Sequence, residues 1–304
     1  MTESRRQNGT GGILLGLLSY ALFSVHDATI KWLVAKLPVP EVLFFRSIVI
    51  VIACLAIGRF RLIERLLATR MKGRLIVRSV MILIAWFLYF TAARFLPLAQ
   101  LLSLYFAAPL IVTALSVPVL RERVTSGHWL AVLIGFAGVM VVTNPFGLHI
   151  SLPALLVLTA AALWAYGVIL MRQIARHESS FVQIFAMSLV FMLGAGAASA
   201  FAWRTPSGPE FGLLLGISVF GGLAQFILFE AARRAAASVL ATVEYTSLIW
   251  GFILGYAIWG DVPPLSTFAG ASLILLAGLL LVVTERRGAR LLPSATRRSS
   301  IQKR

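Results

Sequence analysis

Apolar residues in this chain come in long unbroken blocks, not in the alternation of a half-buried strand or the three-and-four rhythm of a surface helix. Windows of about 20 predominantly apolar residues, enough to cross a bilayer as a helix, fall at 13–35, 42–58, 76–93, 98–119, 129–144, 151–171, 181–203, 211–231, 236–258 and 265–284. Charges, prolines or glycine clusters bound each block. The connections leave no room for a soluble domain, so function has to lie within or between the helices. The pattern predicts an all-α integral membrane protein with ten transmembrane helices.

Composition agrees and charge adds sidedness. Hydrophobic residues make up 60% of the 304, charged residues only 12%, and mean hydropathy is +0.92, which excludes an ordinary soluble domain and a disordered chain. The net charge of +16 would suggest nucleic acid in a soluble protein. Here the bases follow the loops. With both termini cytoplasmic, the N-terminus (Arg5, Arg6), segment 59–78, Arg121 with Arg123, Arg172 with Arg176, Arg233 with Arg234, and the tail after the tenth span hold 22 of the 27. Lys36, Arg94 and Arg204 are the three on the opposite side, and Lys31 and Arg46 lie inside spans. That bias sets the orientation and removes the case for a nucleic-acid partner.

Segment 59–78 reads in two ways: as a short amphipathic helix in the headgroup region, with Leu62, Ile63, Leu66 and Leu67 at helical spacing, or as a solvated connection. The tail 285–304 reads as a disordered basic segment. The first span carries His26, Asp27 and Lys31 and exceeds a signal-peptide core, so it reads as retained. Cys54 is the single cysteine, which rules out an intrachain disulfide.

The chain also repeats. Residues 92–122 align without a gap on 231–261, both opening Ala-Ala-Arg and closing on an acid, Glu122 and Asp261. Ala21-Leu22-Phe23 meets Ala162-Leu163-Trp164, Lys31 meets Arg172, and Val141-Val142-Thr143 meets Val282-Val283-Thr284 at a nearby offset. Five helices per unit force the two units into opposite orientation, as in secondary transporters whose site lies at the midplane between inverted repeats. The expected units are 1–144 and 145–284, followed by the tail 285–304.

The segments RERVTSGHWLAVLIGFAGVMVVT and GDVPPLSTFAGASLILLAGLLLVV each place an acid at a helix end before a glycine-bearing helix. They resemble the closing motif of the two EamA-type halves in the drug/metabolite transporter superfamily, and the resemblance spans the ten helices. Within it, HDATIKWLVAKLPVPEVLFFRS at 26–47 is similar to the first two helices of bacterial riboflavin importers and of S-adenosylmethionine carriers. The resemblance implies a multi-pass protein of the bacterial inner membrane that moves a small metabolite, in its most specific reading riboflavin inward. Export of amino acids or other metabolites, or S-adenosylmethionine transport, are the alternatives.

Ionisable groups at mid-helix cost roughly 2.5–3.5 kcal/mol each on insertion scales, so each one is a candidate. Asp27 and Lys31 are four apart and expected to pair on one helix face. Arg46 is expected to snorkel from near the outer end of its span. His26 reads as a packing histidine. Glu244 has no neutralising neighbour on its own helix, so its partner must come from elsewhere. The repeat matches Tyr105 with Glu244 and Phe106 with Tyr245, and the resemblance implies that their helices line the central cavity. Trp86 with Tyr89 and Phe90, Trp164 with Tyr166, and Phe226 with Phe229 could stack a flat ring, while Gln100 or Gln225 bonds its edge. The site set is therefore Asp27, Lys31, Arg46, Trp86, Tyr105, Trp164, Glu244 and Tyr245. Pro109 and Pro118 are candidate hinges, and Gly12/Gly16, Gly212/Gly216 and Gly251/Gly255 are candidate close-packing pairs.

The sequence carries no HExxH, GxSxG or Asp-rich metal motif, which speaks against an intramembrane enzyme, and no Walker A loop. The expectation is a transporter without cofactor or metal, whose partners are a small molecule, a flavin in the specific reading, and the lipid bilayer. An ATP-binding subunit is not expected.

Overall fold

The computed structural model describes residues 3–59, 61–108, 110–112, 115, 126–143, 151–174, 177–234, 243–244 and 246–291. Tyr245, Pro109, Pro118, Arg121, Glu122, Arg123 and the tail beyond 291 lie outside the described residues. The described secondary structure is helical: α1 (Glu3–Val34), α2 (Val39–Gly58), α3 (Arg61–Ala68), α4 (Lys72–Ala92), α5 (Leu98–Tyr105), α6 (Ser126–Thr143), α7 (Leu152–Ile174), α8 (Ser180–Ser199), α9 (Gly208–Arg234), α10 (Thr246–Trp259) and α11 (Leu265–Leu291). Among the described residues six helices are long and apolar enough to span a bilayer, and shorter apolar helices run over 98–112, 129–142, 246–259 and 265–280. The protein is an all-α, multi-pass membrane protein.

Local chemistry sets the helix ends. Pro38 precedes α2, and a proline stands in the first turn, where a missing N–H costs nothing. Ser179 caps α8 by accepting from Val182 N at 3.4 Å. Glu210, in the first turn of α9, accepts from Ser207 N at 2.8 Å, which is half of a capping box. Gly260, at φ +66, takes the left-handed turn that ends α10 and so delivers Asp261 to the helix rim.

The packing is two-fold. α1 runs along α9 as α7 runs along α4; α4 meets α8 as α9 meets α2; α1 meets α10 as α7 meets α5. The pairs α2 with α8, α5 with α10 and α6 with α11 are their own counterparts. This is the pattern expected when the first five spans exchange with the last five. The core between them contains Ile30, Leu33, Leu37, Leu43, Leu98, Leu101 and Leu104, all below 2% exposed. The outer surface carries many large apolar side chains, among them Ile52, Ile57, Leu133, Phe136, Leu193 and Val219, each more than half exposed. A surface of that kind fits hydrocarbon, not water.

Glycines bring the backbones of α6 and α11 close together. A Cβ at Gly270 would stand 2.6 Å from Gly138 O, and one at Gly138 would stand 2.8 Å from Gly270 O. These glycines belong to the two segments that carried the family resemblance. The expected pair Gly212/Gly216 faces open space, and of Gly251/Gly255 only Gly251 is crowded, by Leu102. The glycine-pair motif says that close packing is possible, while the partner helix decides where it occurs.

Of the two readings of segment 59–78, the structure has a separate helix, α3. Its Leu62 is buried, and Ile63 and Leu66 pack with it against Ile50, Val51 and Cys54. Leu67 is exposed.

Candidate functional site

A cavity of about 110 Å³ lies between the halves, large enough for several water molecules. α1 supplies Tyr20, Phe23, Ser24 and Asp27, which at spacings of three and four share one helix face. α4 supplies Trp86 and Tyr89, α5 Tyr105, α7 Trp164, α9 Gln225, and Glu244 stands just before α10. Five of the eight candidates, Asp27, Trp86, Tyr105, Trp164 and Glu244, thus meet in one place, as does Gln225. The lining obeys the repeat: Phe23 and Trp164, Trp86 and Gln225, Tyr89 and Leu228, and Tyr105 and Glu244 occupy equivalent positions and all face the cavity.

Aromatic rings form one wall. Tyr89 and Tyr105 stand 5.0 Å apart, Tyr105 and Trp164 6.2 Å, and Trp86 meets Phe90 edge-on at 5.5 Å. The polar groups are sparse. Tyr20 and Glu244 both line the cavity and interact there, so Tyr20 on α1 is the partner from another helix that Glu244 required. The Tyr89 hydroxyl is buried and has no hydrogen-bond partner among the described residues, so it is an unused donor on the cavity wall.

The acid on α1 is held differently from the expectation. Asp27 does not pair with Lys31; its Oδ1 lies 3.0 Å from His26 Nδ1. Lys31 extends the other way, donating to Leu96 O at 2.6 Å, with Asp261 at 3.9 Å and the Trp259 ring at 4.9 Å. Its long stem reaches tertiary acceptors at the rim, and the neighbouring histidine takes the carboxylate. Lys31 therefore does not line the cavity.

Arg46 does not snorkel. It is 1% exposed, its Nε donates to His26 Nε2 at 3.1 Å, and its guanidinium lies 4.4 Å over Trp86. His26 is accordingly more than packing. Because Nε2 accepts from Arg46, the ring proton sits on Nδ1 and is donated to Asp27. The result is a buried chain, Arg46 to His26 to Asp27, that ends at the cavity. It fits because α9 presents Gly221 opposite: a Cβ there would lie 2.6 Å from His26 Cδ2 and 3.2 Å from Arg46 Nε.

Tyr166 and Gln100 do not line the cavity, and Phe226 is 40% exposed and packs on Phe181 instead. The side chain of Phe229 lies outside the described residues.

An apolar helical bundle in two related halves, closed around a cavity of aromatic rings and isolated polar groups, defines a membrane transporter of small molecules. The chain belongs to the EamA-like transporter family, whose description fits residues 10–144 and again 151–284. Among curated relatives, the pseudopaline exporter CntI of Pseudomonas aeruginosa is 29% identical over 90% of this chain and 97% of its own. A riboflavin transporter of Vibrio cholerae is 28% identical over 75% and 77%, and an S-adenosylmethionine uptake transporter of Rickettsia prowazekii is 27% identical over 91% and 94%. A solved crystal structure matches 92% of this chain and 99% of its own with a TM-score of 0.67 at 16% identity, a likeness of fold.

Proposed function

We propose that the protein is a secondary transporter of a flat heteroaromatic metabolite, with riboflavin uptake across the bacterial inner membrane as the specific reading. The observation that carries this is the lining: rings on four helices face two carboxylates, and among the described residues no Lys, Arg or His lines the cavity. Such a site disfavours an anionic substrate and suits a planar ring that stacks while its N–H groups donate to a carboxylate. An isoalloxazine imide is such a group. Asp27 belongs to the proposed first unit, 1–144, and Glu244 to the second, 145–284. A ligand touching both ties the two units together, and rocking of one against the other exposes it to either side. Both termini lie in the cytoplasm in this reading.

The same two acids support a second reading, a heteroaromatic that carries positive charge, such as S-adenosylmethionine. The named relatives include both substrates and both directions of transport. Expression in a riboflavin-auxotrophic bacterium is expected to restore growth at low external riboflavin, with uptake of labelled flavin. Uptake of labelled S-adenosylmethionine without flavin uptake would select the second reading. Resistance to an added amino acid or metabolite on overexpression, with neither uptake, would select export and refute both.

A further inference from the structure

Lys36, Arg94 and Arg204, the three bases that the charge bias leaves on the side opposite the N-terminus, converge on one cavity of about 530 Å³. Three separate connections deliver them, those joining α1 to α2, α4 to α5 and α8 to α9. Arg94 Nη2 donates to Leu37 O at 2.7 Å, and Arg204 Nη1 donates to Lys36 O. Both guanidinium planes are thereby fixed on successive carbonyls of one turn. Lys36 Nζ rests 4.1 Å over the Trp32 ring.

The nearby acids are engaged with Arg204. Glu41 Oε2 accepts from Arg204 N at 3.0 Å, and Glu210 Oε1 lies 3.6 Å from Arg204 Nη2 while its other oxygen accepts from Ser207. Among the described residues no carboxylate lies within 4.0 Å of the Lys36 or Arg94 cation. Partial burial pushes the Arg94 guanidinium below its ordinary value, since it has lost water without gaining a counter-charge. The cavity is built from span ends, the depth at which lipid phosphates lie. Phe95, 68% exposed beside Arg94, offers apolar surface there.

We propose that this cavity binds a phosphate group at the membrane surface opposite the N-terminus, with Arg94 as the forked donor and Lys36 as the point charge. A fixed guanidinium presents parallel N–H groups that match phosphate oxygens, and an ammonium adds charge without directional demand. The phosphate comes from a lipid headgroup or from free anion, and both present the same oxygens.

The test uses the full-length protein in a maltoside detergent, with thermal midpoint and native mass spectrometry as readouts. The probes are phosphatidylglycerol and, separately, inorganic phosphate at constant ionic strength. The wild-type protein is expected to be stabilised by several degrees by at least one probe, and the Lys36→Gln/Arg94→Gln variant is expected to lose that shift. Lys36→Arg, which keeps the charge, is expected to retain it. A shift with lipid alone identifies the headgroup as the source, and a shift with inorganic phosphate alone identifies free anion. If the double variant does not fold, Lys36→Gln is expected to lose part of the shift. Absence of any shift in wild type, or an equal shift in Lys36→Gln and wild type, would overturn the proposal.

Discussion

Alanine at Gly221 tests the buried Arg46–His26–Asp27 chain without touching any of its members. The added methyl would stand 2.6 Å from His26 Cδ2 and 2.8 Å from Nε2. Restoring ordinary contact near 3.4 Å requires the imidazole to retreat by about 0.6–0.8 Å. The Arg46 Nε to His26 Nε2 distance, now 3.1 Å, then exceeds hydrogen-bonding range. Losing a hydrogen bond to a charged group costs about 1.5–3 kcal/mol, and alanine in place of a helical glycine returns up to ~1 kcal/mol. The net loss is about 0.5–2 kcal/mol, read as a lower thermal midpoint of the purified protein. The neighbouring position is the control: a Cβ at Gly222 meets only Ile50 Cγ1, at 3.6 Å, so Gly222→Ala is expected to match or exceed wild type. In a His26→Ala background the two closest contacts are gone and only Arg46 Nε at 3.2 Å remains, so Gly221→Ala should cost much less, a coupling that a double-mutant cycle isolates. Equal midpoints for Gly221→Ala and Gly222→Ala would refute the reasoning.

Other consequences are as direct. Gly270→Ala drives a methyl against Gly138 O and Val142 N, backbone atoms that cannot swing aside, so it should destabilise by about 2 kcal/mol, whereas Gly212→Ala, with nothing within 4 Å, should not; detergent melting curves separate them. Tyr89→Phe removes a hydroxyl that no group among the described residues bonds, so stability should hold within ~0.5 kcal/mol while substrate affinity falls, as read by equilibrium binding. Lys31→Met removes both the Leu96 carbonyl bond and the Asp261 contact, and is expected to lower the melting midpoint more than Asp261→Asn, which removes only one.

The all-helical membrane fold, the two-fold relation of the halves and much of the cavity wall were legible because each rests on a signal carried by the chain itself: block length, offset, and an uncompensated acid. Glu244 could be picked out because no neutralising residue stands three or four positions away. Partners across helices were not legible. Spacing of four permits an Asp27–Lys31 pair, but a flexible lysine goes to whichever acceptor the fold supplies, here the Leu96 carbonyl and Asp261. Arg46 is interior because His26, Trp86 and the gap at Gly221 receive it, and these belong to three other helices. Tyr20 was within reach of the sequence, since it lies seven residues before Asp27 on the same face of α1. The three bases that oppose the charge bias were counted as residue, and only the fold brings them to one cavity.

The central claim is that substrate binds between Asp27 and Glu244. It is tested most directly by uptake of labelled riboflavin or S-adenosylmethionine, whichever the wild-type protein carries, into cells making equal amounts of wild type and Glu244→Gln. The variant keeps the side chain's size and an amide oxygen that can accept a hydrogen bond, but loses the charge. Uptake is expected to fall at least tenfold, roughly the 1.4 kcal/mol of one charge-assisted hydrogen bond. Unchanged uptake by Glu244→Gln would contradict it.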